Sequence, residues 1–160
     1  MVSRTAGNQE RSRGRSVVVG VADHNGWAVL VSAAAVNCEP TVVDRRRVGL
    51  IEKGVPNQPY HHETLALSSG EAELLLRQVK RSIAASTALA FDRLAADLSS
   101  RYRIASIIIR QPPLALLPAT VAEVHRSYHV LCRADGMLYH SAICTAARRH
   151  DWALVFHRRL

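Results

Sequence analysis

The stretch from Ser16 to Asp23, with valine at positions 17, 18, 19 and 21, runs into His24-Asn25-Gly26 and constrains this chain more than any other segment. Its β-branched side chains are stiff at χ1 and fit a pleated sheet. Its continuous apolarity predicts a strand buried on both faces. Asn-Gly then predicts a two-residue type I′ hairpin loop, because both central residues of that turn need positive φ. Trp27–Val36 follows as a second strand, Asn37-Cys38-Glu39-Pro40 as a turn, and Thr41–Ile51 as a third strand. The chain therefore opens as an antiparallel meander with Asp23 at the tip of its first hairpin.

A Pro/Gly/Asn-containing loop, Glu52–Glu63, comes next. Ser68 or Ser69 can cap a helix whose first turn holds Glu71 and Glu73, where the helix dipole favours a negative charge. That helix runs from about Gly70 towards Ser99, with Leu75, Val79, Ile83, Leu89, Leu94 and Leu98 as its apolar face and a kink expected near Ser86-Thr87. Arg103–Arg110, dense in isoleucine, is a central strand closed by Gln111-Pro112-Pro113, since proline cannot donate to a ladder. Ala119–His150 is helical in pattern with a break expected at Asp135-Gly136, and Trp152–His157 closes as a strand. No internal repeat interrupts this order. The reading is an α/β domain over residues 16–160 behind a disordered basic tail over residues 1–15.

The cysteines, Cys38, Cys132 and Cys144, are too few and too odd in number for a disulfide framework, so a reducing, cytoplasmic setting is expected. The longest apolar runs, Val17–Ala22 and Trp27–Val36, fall far short of the ~20 residues of a membrane span. The formal charge of +8 favours an anionic partner, nucleic acid first. Only Lys53 and Lys80 among the basic residues are lysine. Such an arginine bias arises from genome composition as readily as from phosphate binding.

Meander, helix, strand, helix, strand is the element order of the ribonuclease H-like fold: a three-stranded antiparallel meander followed by α-β-α-β, with a mixed sheet flanked by helices. The first hairpin, Val17–Val29, resembles the opening of Holliday-junction resolvases of the RuvC type, in which a hydrophobic strand ends in a catalytic aspartate before a glycine-bearing turn. The resemblance implies carboxylates converging on divalent cations, Mg²⁺ or Mn²⁺, which polarise the phosphate and activate water. Asp23 matches the first of these carboxylates. On the central strand, Ile107–Gln111 carries Arg110 and no acid. On the last helix Asp135 is the single candidate, so the implied catalytic and metal-binding pair is Asp23 and Asp135. Position 135 falls within the apolar stripe of Val121, Val124, Tyr128, Leu131, Leu138, Ala142 and Ala146, where a carboxylate is either functional or paired. The favoured alternative is that Asp135 caps a helix starting at Gly136.

Other clusters carry weaker chemistry. His61-His62-Glu63 offers metal ligands or a base, but adjacent loop histidines point apart, and a surface or loop-anchoring role is favoured. His125, His129 and Cys132 at i, i+4 and i+7, with His140 and Cys144, have zinc-compatible spacing without a C-x-x-C pair. The favoured reading there is a polar flank with two small buried thiols. Arg45, Arg46 and Arg47 read either as a phosphate-contacting stripe or as charges that guard an edge strand. No Walker loop, G-x-G-x-x-G, G-x-S-x-G or H-E-x-x-H is present. Three functions remain open: a non-catalytic ribonuclease H-like module binding nucleic acid or a nucleic-acid-associated partner, a metal-dependent nuclease with an atypical ligand set, and a protein-interaction domain that forms a homo-oligomer.

Overall fold

The structure, a computed structural model, describes residues 14–158. The basic tail expected over residues 1–15 lies outside them except for its last two positions, and Arg15 already begins the first strand. In chain order the elements are β1 (Arg15–His24), β2 (Trp27–Val36), β3 (Glu39–Gly49), α1 (Ser69–Leu98), β4 (Tyr102–Arg110), α2 (Val121–Val124), α3 (Tyr128–Arg149) and β5 (Ala153–His157). A single 3₁₀ turn, Glu63–Ala66, precedes α1. The five strands form one mixed sheet in the order β3-β2-β1-β4-β5. β1 pairs antiparallel with β2, as β2 does with β3. It pairs parallel with β4, which in turn pairs parallel with β5.

The two hairpin turns exchange the roles assigned from sequence. At Asn25-Gly26 only Gly26 has positive φ, at 95°, so this turn is not type I′. The positive-φ pair lies instead at Asn37 (φ 51°) and Cys38 (φ 65°), between the paired residues Val36 and Glu39. Asparagine tolerates the left-handed region because its short side chain bonds locally, whereas cysteine has no such aid.

Ser68 is the N-cap of α1 and forms a full capping box with Glu71. The Glu71 amide donates to the Ser68 hydroxyl, and the Ser68 amide donates to the Glu71 carboxylate. The Ser68 hydroxyl also donates to that carboxylate, and this bond, with the one from the Ser68 amide, holds the Glu71 carboxyl below its usual value. The helix then continues unbroken for thirty residues, with Thr87 fully buried within its inner face. Leu89, assigned to the apolar face, is half-exposed, and Phe91 takes the buried position.

The last helical region also breaks elsewhere than expected. α3 runs straight through Asp135-Gly136, and the interruption falls at residues 125–127, between α2 and α3. Glycine inside a helix costs only about 1 kcal/mol relative to alanine, which a packed helix absorbs. Asp135 is therefore a mid-helix residue and not a cap. A Cβ built on Gly136 meets no atom within 4 Å. Gly136→Ala is accordingly expected to stabilise the protein by about 0.5–1 kcal/mol. A urea midpoint at or below that of the parent would contradict this.

One core joins the sheet to both long helices. Val17, Val19 and Val21 of β1, Leu30 of β2, and Ile104, Ile107 and Ile109 of β4 form its sheet side. Val79, Ile83, Phe91 and Leu94 of α1 and Tyr139 and Ile143 of α3 form its helix side. The intervening positions face outward: Val18 is 39% exposed and Val155 45%. Burial of β1 on both faces is thus not observed, and the strand alternates.

Candidate functional site

β1 and β4 are adjacent and parallel, so their C-terminal ends open on the same edge of the sheet, the usual position for a ligand crevice in an open α/β sheet. A cleft of about 390 Å³ lies there. Asp23 from β1, Arg110 from β4, and Cys132, Arg133 and His140 from α3 line it, with Gly136 in its floor. The register pairs Asp23 with the buried Ala28, which turns its side chain to the helix side of the sheet. A cavity of about 490 Å³ between α1 and α3 is larger, but its walls hold no carboxylate, histidine or thiol.

The cleft is richer in cations than in anions. Among the described residues, neither Asp23 nor Arg110 takes part in a salt bridge. Arg133 donates from its terminal nitrogen to the Leu116 carbonyl at 3.2 Å, while its buried Nε–H has no partner. His140 is buried and donates from Nε2 to the Arg110 carbonyl at 3.0 Å, which ties α3 to the end of β4. Its Nδ1 stands 3.7 Å from the Cys144 sulfur. Burial holds the Cys144 thiol above its usual value, and the charge of Asp23 adds to the rise.

Asp135 does not face this cleft. It is fully buried on another side of α3, as its place in the apolar stripe implied, and it is paired. Its Oδ1 accepts the Tyr60 amide at 3.0 Å. Its Oδ2 accepts the His61 amide at 3.3 Å and lies 2.7 Å from His61 Nδ1. Burial pushes the Asp135 carboxyl above its usual value, against the pull of the hydrogen bonds from His61 and Tyr60. The buried charge also raises the phenols of Tyr60 and Tyr139, though burial itself is the larger cause in each. Tyr139 donates to the Asn57 carbonyl at 2.8 Å, a second tie to the same loop. The structure therefore brings Asp23 to the cleft and commits Asp135 to the loop, so the expected metal-binding pair shares no site. Among the described residues no group of three or more His, Cys, Asp and Glu side chains could hold a metal ion.

The histidine and cysteine spacings resolve differently from their helical reading. His125 falls in the break between α2 and α3 and meets the Thr64 hydroxyl at 3.0 Å, out of line with His129 and Cys132. His61 turns inward while His62 stays exposed, so the loop-anchoring role holds for His61. Cys144 is buried as expected, but Cys132 is exposed.

Strand alternation splits the arginine run on β3. Arg46 points to the helix side and bonds Asp44 at 2.8 Å and Asp97 at 2.7 Å, contacts that raise its already high pKa. Arg45 and Arg47 lie on the opposite face, exposed, and the Arg47 guanidinium stands 4.1 Å over the Trp27 ring. A three-residue stripe is thus reduced to two free cations.

No helix among the described residues is long and apolar enough to cross a membrane. No protein-family model and no curated protein matches the sequence. Among solved structures, that of T. thermophilus RuvC in complex with Holliday junction substrate is similar, with a TM-score of 0.53 at 8% sequence identity. The match covers 90% of this chain and 65% of the resolvase chain. At that identity the likeness speaks for the fold alone, and the strand order, the parallel β1–β4 pair and the helices against one sheet face make it a ribonuclease H-like fold.

Proposed function

We propose that this protein is a ribonuclease H-like module that binds nucleic acid, or a partner already bound to it, without two-metal cleavage. The observation that carries the reading is the cleft at the ends of β1 and β4, where Asp23 is the only carboxylate in the lining and Arg110 and Arg133 stand beside it. Cations there suit a phosphate, and one acid does not assemble a pair of hard cations. The formal charge of +8 and the exposed Arg45 and Arg47 add electrostatic reach. The fold resembles that of a protein solved in complex with a Holliday junction substrate.

The test is fluorescence anisotropy with a labelled duplex and a labelled four-way junction over a salt series. Log affinity is expected to fall linearly with log salt. Arg110→Ala is expected to reduce the magnitude of that slope by about 1, and Arg45→Ala with Arg47→Ala by about 2. Affinity that stays flat from low to moderate salt would count against the reading. Flat affinity together with a stable dimer would favour the interaction-domain alternative, for which the outward sheet face bearing Val18 and Val155 offers apolar surface.

Asp23 also supports a second reading, a nuclease with an atypical ligand set, because its carboxylate stands in the cleft free of salt bridges. Mg²⁺- or Mn²⁺-dependent cleavage of the same probes, abolished by Asp23→Asn, would establish it. For Asp135 to join such a site it would have to leave His61 and both amides.

A further inference from the structure

The Asp135–His61 contact continues to a third residue. His61 Nε2 lies 3.4 Å from the Cys132 sulfur. Cys132 and Asp135 are three residues apart on α3, so they occupy neighbouring positions on its surface, and the loop lays His61 across both. The order is buried carboxylate, imidazole, exposed thiol. Asp135 accepts from Nδ1–H, which leaves the Nε2 lone pair for the thiol proton. The edge of Tyr128 meets the His61 ring at 5.3 Å and 87°, which holds the ring plane.

We propose that Cys132 is a base-activated nucleophile, with His61 as its base and Asp135 as the positioning residue, directed at small anionic carbon electrophiles. The sulfur lines the same cleft as Arg110 and Arg133, which would draw a carboxylate or phosphate group towards it. Other charged or titratable groups on the cleft wall are Asp23 of β1 and His129 and His140 of α3. In the reaction the Sγ–H proton passes to His61 Nε2, and the imidazolium stays paired with Asp135. The sulfur lone pair then forms the S–C bond as the bond from carbon to the leaving group breaks. The leaving group departs with the electron pair of that bond and, where it is basic, takes the proton from Nε2. The inference is independent of nucleic-acid binding, because it rests on the α3–loop contact.

The protein carries its own reference thiol in Cys38, which is exposed in the β2–β3 turn. The full reduced chain is treated at pH 6 with iodoacetamide or iodoacetate, and each cysteine is followed by peptide mass spectrometry. An ordinary thiol is almost wholly protonated at that pH. Cys132 is expected to react with iodoacetamide about tenfold or more faster than Cys38. His61→Asn is expected to bring Cys132 down to the rate of Cys38. Arg110→Ala is expected to slow iodoacetate at Cys132 more than it slows iodoacetamide, and an equal effect on both reagents would remove the anion preference. Asp135→Asn is expected to move the pH at which Cys132 reaches half its maximal rate upward, with the Cys38 profile unmoved. Equal rates at Cys132 and Cys38 in the unmodified chain would overturn the proposal, and that comparison needs no variant to fold. An unchanged Cys132 rate in a folded His61→Asn protein would overturn it equally. Loss of nucleic-acid affinity in the earlier assay would leave all these results standing.

Discussion

Replacing Asp135 by alanine is expected to cost about 3–5 kcal/mol of folding stability. The carboxylate is fully buried and accepts from two backbone amides and one imidazole. Its removal strands the Tyr60 and His61 amides where water reaches them poorly, and a buried donor without a partner costs about 1–3 kcal/mol. It also leaves the His61 ring without the anion that orients it. Asp97 provides the contrast: its salt bridge with Arg46 is as short, 2.7 Å, but the Asp97 side chain is 60% exposed. Asp97→Ala should therefore cost no more than about 1 kcal/mol. Urea unfolding followed by circular dichroism separates the two. A loss below about 1 kcal/mol in Asp135→Ala would show that the loop holds without its anchor.

Phe91→Ala is the second large effect, expected at about 3–5 kcal/mol. The ring is fully buried in α1 and stacks on Trp152 at a centroid distance of 5.9 Å, just before β5. Truncation removes core area and opens a cavity between α1, β4 and the chain entering β5. Leu89→Ala, two residues earlier on the same helix, should shift stability by less than about 0.5 kcal/mol, since Leu89 is 50% exposed. If the two variants lost stability equally, the assignment of the inner face of α1 would be wrong.

Those two residues also show what the sequence disclosed and what it hid. The strands, the long helix and their order were legible, because β-branched runs, a capping box and proline stops act locally. Register on the helix was less so: with leucine and alanine spread around α1, either Leu89 or Phe91 could serve as an inward position, and packing chose the aromatic. Gly136 reads as a break in the sequence, but a glycine weakens a helix without ending it. The place of Asp23 at the end of β1 was legible from its hairpin, but the cleft it lines comes from the parallel pairing of β1 with β4, which no local pattern records. The pairing of Asp135 with His61 was not legible either, since residues 61 and 135 meet through a loop whose path leaves no local signal. The same contact hid Cys132, whose helical spacing pointed to His125 and His129.

The pairing of Arg15 with Tyr102 at the base of β1 and β4 bears on how the protein assembles. The meander closes through two tight turns, but the cleft needs β1, β4 and α3 together, drawn from both ends of the chain. Long-range parallel pairing is slow, because loop closure is completed before its contacts form. The cleft should thus be among the last features to appear during synthesis, so a partly made chain would display the basic meander well before it could present Asp23, Arg110 and Cys132 to a ligand.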